Sequence, residues 1–246
     1  MKTKRLKFLR CLKKVHITNQ LRQSAARGNN FVKLLIIMSG FLATCNVPGT
    51  LKDIDGNIYH TVKIGNQIWM AENLRTTHFS NGNPISQISN NKAWERSTAP
   101  AFCFYDNDKE KGKTYGPLYN WYAVNDSRGL APKGWHIPTK MELDTLLKNT
   151  IGSDTLAAAF LKEPGNKHWL PAIMETVGAS GFNALPAGYR HRDGSFHSLK
   201  SNTYFWTGNF TFELYNWSSR LFYGFADVDR ELYYRQYGFS VRCIKD

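Results

Sequence analysis

The stretch GWHIPTKMELDTLL, Gly134–Leu147, constrains the fold more than any other, because it joins two kinds of backbone within a few residues. Trp135 and Ile137 flank His136 in alternation, the period of a strand. Pro138 follows, and Thr139-Lys140-Met141-Glu142 has the form of a capping box: the threonine hydroxyl accepts from the Glu142 amide while the glutamate reaches back. Leu143, Leu146 and Leu147 then recur at i, i+3 and i+4, one apolar face of a helix of about ten residues ending near Ile151-Gly152. Such a joint needs a sheet to receive the strand and a core to receive the leucines. His136 reads as structural. A general acid or base needs a partner within reach of a substrate proton, and Glu142, the nearest acid, is already engaged as the cap.

Elements on either side extend the pattern. Asp55-Gly56 and Gly65-Asn66 punctuate NIYHTVKI and QIWMAENL, which read as strands of a hairpin or meander. Residues 76–115 are polar and loop-like; YGPLYNWYAVND, Tyr115–Asp126, reads as a short helix, and DTLAAAFLK, Asp154–Lys162, as a second flanking helix closed by Pro164-Gly165. Beyond about residue 180 only strands and turns follow. Helices in the middle and strands at both ends predict an α+β domain, mainly antiparallel, whose last strands close a sheet with the first. The domain is placed at 53–246, a short tether at 46–52, and a basic leader with a signal peptide at 1–45.

The formal charge of +13 belongs to that leader. Residues 1–45 carry ten Lys and Arg and no acid; removing them leaves 22 basic against 19 acidic residues, a net of +3. A nucleic-acid stripe on the domain is therefore excluded from the reading. The apolar run LLIIMSGFLAT, Leu34–Thr44, would span about 16 Å as a helix, too short for a bilayer core of about 30 Å and suited to a secretory signal. It ends at Leu42-Ala43-Thr44-Cys45, which resembles a lipobox, so Cys45 is the expected lipidation site and mature N-terminus, and the membrane is reached through that anchor. The polar, aperiodic residues 1–31 are long for a signal and raise the expectation of a translation start near Val32.

With Cys11 in the leader and Cys45 assigned to lipid, Cys103 and Cys243 remain for one bridge in a compartment where disulfides form. No catalytic residue, metal or cofactor is assigned. His191, Asp193 and His197 have the residue types of a metal site, but Asp193-Gly194 is first a turn signal. Asp106-Asn107-Asp108-Lys109-Glu110 lacks the glycine that a calcium loop carries at its sixth position, where Lys111 stands. No phosphate-cradling glycine loop, Gly-x-Ser-x-Gly elbow or Cys-x-x-Cys pair occurs. The positive feature is aromatic: all seven Trp lie beyond residue 50. Trp69, Trp121 and Trp135 sit in apolar patterns and are expected in the core. From Tyr204 to Tyr237 aromatics alternate with polar residues, so some face outward, and Trp206, Tyr215 and Trp217 are the candidate ligand contacts.

The ordered motifs DIDGNIYHTVKIGNQIWMAENL (Asp53–Leu74), FCFYDND, YGPLYNWYA, PKGWHIPTKMEL, GFNALPAGYR and GFSVRC resemble the Fibrobacter succinogenes major paralogous domain over about Leu51–Asp246. That family occurs in secreted and lipid-anchored bacterial proteins, which implies the cell envelope, outer membrane included. The G-W-x-x-P-T-x-x-E joint, a later F-W-T strand and the V-R-C ending are similar to the C-type-lectin-like superfamily, implying a single twisted domain with two flanking helices and long loops. Its calcium–sugar motifs are not implied, since Glu163-Pro164-Gly165 stands where lectins have Glu-Pro-Asn. Ala131 replaces a cysteine that relatives often carry before Pro-x-Gly-Trp. The resulting expectation is a non-enzymatic envelope lipoprotein binding a glycan, peptide or protein. The alternatives are an envelope enzyme related to formylglycine-generating folds, which rely on paired cysteines, and a fimbria-like structural subunit.

Overall fold

The computed structural model describes residues 49–151, 156–171, 178, 180–212 and 214–246; Cys45 and the leader lie outside these. Residues Val47–Asp246 belong to one compact unit. It opens with β1 (Thr50–Lys52), β2 (Ile58–Ile64) and β3 (Gln67–Met70), an antiparallel meander whose β2–β3 turn contains Gly65. The chain's last strand, β13 (Ile244–Lys245), enters this sheet between β3 and β7 (Trp135–His136), giving the order β1-β2-β3-β13-β7. Ile244 is registered with Trp69 on one side and His136 on the other. The expected closure of the last strand on the first ones is observed, and so is the α+β class.

A second sheet has the order β12-β11-β10-β8-β9, from β8 (Ala187–Arg190), β9 (Phe196–Leu199), β10 (Asn202–Phe212), β11 (Tyr215–Phe222) and β12 (Val228–Tyr234). A small third sheet pairs β4 (Ser86–Gln87), β5 (Ala101–Cys103) and β6 (Leu118–Tyr119). Only the β4–β5 and β8–β10 pairings are parallel among those between described strands.

The joint forms as its residues dictate. Thr139 Oγ1 accepts from the Glu142 amide at 3.2 Å, and Glu142 Oε2 accepts from the Thr139 amide at 2.8 Å. The reciprocal bonds satisfy donors that a helix start leaves orphaned. Helix α4 (Lys140–Ile151) follows, with Leu143, Leu146 and Leu147 buried beside Trp69, Phe182 and Phe205. The expected helix near 154–162 is observed as α5 (Ala157–Leu161), all five residues buried; its N-terminal side, 152–155, lies outside the described residues.

The segment 76–115 departs from the loop expectation. It holds α1 (Asn91–Arg96), β5, a 3-10 turn at Tyr105–Asn107 and α2 (Lys109–Tyr115), and α3 (Trp121–Val124) comes soon after. Five helices are therefore present among the described residues, against three expected, α3 lying within the short helix read at Tyr115–Asp126. The reason is local. Asn90, Asp108 and Asn120 each cap a helix with a side-chain oxygen, and a few aromatics anchor these short elements. Trp94 is buried with its indole donating to the Gln236 carbonyl at 2.8 Å. Polar residues that look like loop are here capping residues of helices too short to show a period.

Trp69 and Trp121 are buried as expected, and Trp135 is half-buried against the central cluster. Buried basic side chains include Arg242 and Lys162. Arg242 donates to the Phe182 carbonyl and to Asn73 Oδ1, with its guanidinium 4.2 Å from the Phe182 ring centre. Lys162 donates to the carbonyls of Phe222 and Phe225 over the Trp169 face, and burial lowers its ammonium to about 8.

Candidate functional site

Of the three candidate ligand contacts, Trp206 is a core residue. Its exposure is 0 %, it packs on Phe239 at 4.5 Å, and its indole donates to the Tyr119 carbonyl at 2.8 Å. From Asn202 to Thr207 β10 is buried on both faces, so the alternation of side chains leaves no outer set there, and the polar Thr207 is itself buried. Tyr215 and Trp217 are half-buried and share a face of β11, registered with Tyr234 and Leu232 of the edge strand β12.

These residues begin a strip that the sequence does not bring together. The Tyr215 hydroxyl donates to that of Tyr234 at 2.8 Å, with ring centres 4.4 Å apart. Arg192, on the exposed turn between β8 and β9, lies 4.4 Å over the Tyr234 ring. Its neighbour His191 meets Tyr237 edge-on at 4.9 Å; Tyr237 stacks on Tyr189 at 6.0 Å, and Tyr189 on His197 at 5.4 Å. At the other end Lys140 Nζ sits 5.5 Å over the Trp217 ring. Trp217, Tyr215 and Tyr234 thus form a half-open aromatic strip on one face of the β11–β12 pair, while Tyr189, Tyr237 and His197 form a second cluster over the buried rings of Tyr204 and Phe239 on the other face; the adjacent Arg192 and His191 touch one each.

Backbone geometry makes the Tyr189–His197 cluster possible. Gly188 holds φ +64°, and a Cβ there would lie 2.5 Å from the His197 carbonyl oxygen and 2.6 Å from the Tyr105 ring. Only glycine allows β8 to approach β9 so closely just before Tyr189. Below it, Arg190 is completely buried and spans to the carbonyls of Ile88, Ser89 and Gly194, fixing the turn that carries His191 and Arg192.

The hydrogen bonds also assign protons. Ser195 Oγ lies 2.6 Å from Asp193 Oδ1 and 2.7 Å from His197 Nε2. A carboxylate only accepts, so the serine proton goes to Asp193, and His197 Nε2 must donate to the serine. His197 therefore cannot act as base toward Ser195. The hydrogen bonds from Ser195, joined by His191, hold the Asp193 carboxyl far below the usual range. Tyr234 is lowered as acceptor of the Tyr215 hydroxyl, with Arg192 acting in the same direction, while Tyr215 is raised as the donor.

Elsewhere the sequence candidates resolve as follows. His136 uses both ring nitrogens, Nε2 to Glu142 Oε1 at 2.9 Å and Nδ1 to Asp246 Oδ1 at 2.7 Å. It is a clasp between β7, α4 and the residue after β13. Asp106 pairs with Lys111 at 2.5 Å and Asp108 caps α2, so these oxygens serve local structure. No group of three metal-binding side chains is found among the described residues.

The Cys103–Cys243 bridge is not formed: both thiols are free and buried. Cys103 belongs to the cluster of Trp94, Tyr115 and Leu118, and Cys243 to that of Tyr119, Trp206 and Phe239, so each is encased by different apolar neighbours. Burial, only partly offset by Arg190, pushes the Cys103 thiol up to about 12, and burial raises Cys243 as well. Neither is a reactive thiolate at neutral pH.

The family is settled by comparison. The model of the Fibrobacter succinogenes major domain matches residues 62–245, three-quarters of the chain and nearly all of the described domain. The chain belongs to that family. No curated protein and no solved structure matches it.

Proposed function

We propose that this chain is a non-enzymatic cell-envelope lipoprotein whose domain binds a glycan along the aromatic strip. One observation carries the reading: Trp217, Tyr215 and Tyr234 stand half-open on one face of the β11–β12 pair, the two tyrosines already locked by a ring contact and a hydroxyl bond. A pre-ordered surface loses little side-chain entropy on binding. Tyrosine and tryptophan offer an apolar face to sugar C–H groups with polar edges beside it. The leader's basic residues, short apolar run and Cys45 support the envelope address and the lipid anchor, and among the described residues no helix is long and apolar enough to cross a membrane. The strand–helix joint and the meeting of terminal strands support a C-type-lectin-like frame.

Affinity electrophoresis of the full chain through gels containing soluble polysaccharides tests the binding. Retardation by at least one polysaccharide is expected, with a loss of tenfold or more in Trp217→Ala and in Tyr234→Ala. Retardation unchanged in both variants, or absent from a broad polysaccharide panel, overturns the reading. The address is tested by lipid labelling beside Cys45→Ala, where label in wild type alone is expected.

A second reading, a hydrolytic envelope enzyme, is favoured by a separate arrangement. His78 Nδ1 lies 2.6 Å from Asp55 Oδ1, in a cleft of about 310 Å³ that Ser80 also lines. Ser80 donates to the carbonyls of Gly129 and Ala131 instead, at 2.9 and 2.8 Å, so the nucleophile such chemistry needs is already committed. Five further described histidines bond a carboxylate directly or, for His197, through Ser195, which makes the Asp55–His78 pair ordinary in this molecule.

A further inference from the structure

A cleft of about 380 Å³ opens between the segment after β3, the end of α2 and the loop after α5. Its volume falls within the range of about 300–1,000 Å³ typical of small-ligand sites, and it shares no residue with the aromatic strip. Its polar lining carries both signs, Glu72 and Glu163 with Arg75 and Lys167, beside Tyr115 and Asn183.

Three of these charges are positioned by neighbours yet keep hydrogen-bonding capacity. Glu163 receives His168 through Oε2 alone, at 2.8 Å, leaving Oε1. Arg75 spends Nη2 on the Ile58 carbonyl and lies 4.8 Å over the Tyr59 ring, leaving Nη1 and Nε. Glu72 is bound by the His60 amide and ring, at 2.8 and 2.7 Å. Lys167 is exposed and has no hydrogen bond or ion pair among the described residues. Behind them Asn73 is locked by Arg242 and by its bond to the Tyr115 carbonyl. Gly116, at φ +79°, brings the backbone so close that a Cβ would stand 3.1 Å from the Leu74 carbonyl oxygen.

A ligand that satisfies such a site must bring a positive and a negative group together. A neutral sugar brings neither, and a polyanion would meet two carboxylates. We propose that the cleft binds a short peptide or amino acid in its zwitterionic form, the ammonium group at Glu163 and the carboxylate at Lys167 and Arg75. Tyr115, its ring edge-on to His168 at 5.8 Å, lines the cleft beside Glu163's partner.

The test is calorimetric titration of the full chain with trialanine, N-acetyl-trialanine and trialanine amide. Trialanine is expected to bind, with each blocked form at least tenfold weaker. Lys167→Gln should remove the discrimination against the amide while keeping that against the acetylated peptide; Glu163→Gln should do the reverse. Lys167 supports no neighbour, so its variant keeps the wild-type melting temperature and reports on the site alone. Equal affinity for the three peptides, or no heat from any of them at millimolar concentration, overturns the proposal. Neither outcome bears on the strip, since no residue is common to both.

Discussion

The helix start at Thr139 and the aromatic strip are built from the same kinds of side chain, histidine, carboxylate and aromatic ring, and they do opposite things with them. At the helix start every polar group is consumed. Glu142 serves the Thr139 amide, the Thr139 hydroxyl and His136, and His136 spends both ring nitrogens on carboxylates. On the strip the rings keep an open face, and Arg192 reaches over a tyrosine with no carboxylate ion pair among the described residues. One region has closed its hydrogen-bonding account and so holds structure; the other has left surface to offer.

The sharpest way to break this comparison lies between two tryptophans eleven residues apart. Trp206→Ala removes a fully buried indole with a satisfied N–H and should cost about 3–5 kcal/mol, read as a large fall in the denaturation midpoint. Were the loss under about 1 kcal/mol, the level of a surface change, Trp206 would return to the outer surface and its place in the core would fall.

Next in size is the clasp itself. Glu142→Ala removes the back-bond of the capping box and one partner of His136, for an expected loss of about 1–2 kcal/mol. Thermal unfolding of the variant measures it. An unchanged melting temperature would show that Pro138 and the buried leucines of α4 hold the helix start unaided.

The distance in sequence between partners explains what could be read in advance. Thr139 and Glu142 are three residues apart and His136 and Glu142 six, so their pattern is local and the joint was legible before any coordinates. The meeting of β13 with β3 and β7 was legible too, since strands at both ends of a chain with central helices have few other ways to cover a core. The strip was not. Arg192 and Tyr234 are forty-two residues apart and belong to opposite ends of the sheet order, yet the turn between β8 and β9 brings them within 4.4 Å. For Trp206 the alternation with polar residues suggested an outer face where there is none: Asn202–Thr207 are buried on both sides of the sheet. The separation of Cys103 from Cys243 likewise follows from packing, which pair counting ignores.

A pH series sharpens the clasp further. For His136, burial works against the charged form, but the bonds to Asp246 and Glu142 prevail and raise it above 6.5. Its contribution is full below 6.5 and disappears as pH rises through the raised value. For Glu142, burial again opposes charge, yet the Thr139 and His136 bonds lower it below 4.5, so its contribution holds above 4.5 and fades as pH falls through the lowered value. The melting-temperature gap between wild type and His136→Asn should therefore be widest between about 4.5 and 6.5 and narrow on both sides. A gap that keeps growing toward pH 9 would mean that the neutral imidazole does the work.

The smallest effect on stability is expected where the largest effect on binding is. Trp217 is half-buried, Lys140 covers part of one face of its ring, and its partner across the strands, Leu232, is itself 38 % exposed. Trp217→Ala should change stability by less than about 1 kcal/mol while weakening glycan retention tenfold or more. The two readouts separate the roles that a single one would confuse. A stability loss on the scale of Trp206 would make Trp217 part of the core and shorten the strip to its tyrosine half, whereas unchanged stability with unchanged retention would leave an exposed indole on β11 whose surface serves no ligand of that class.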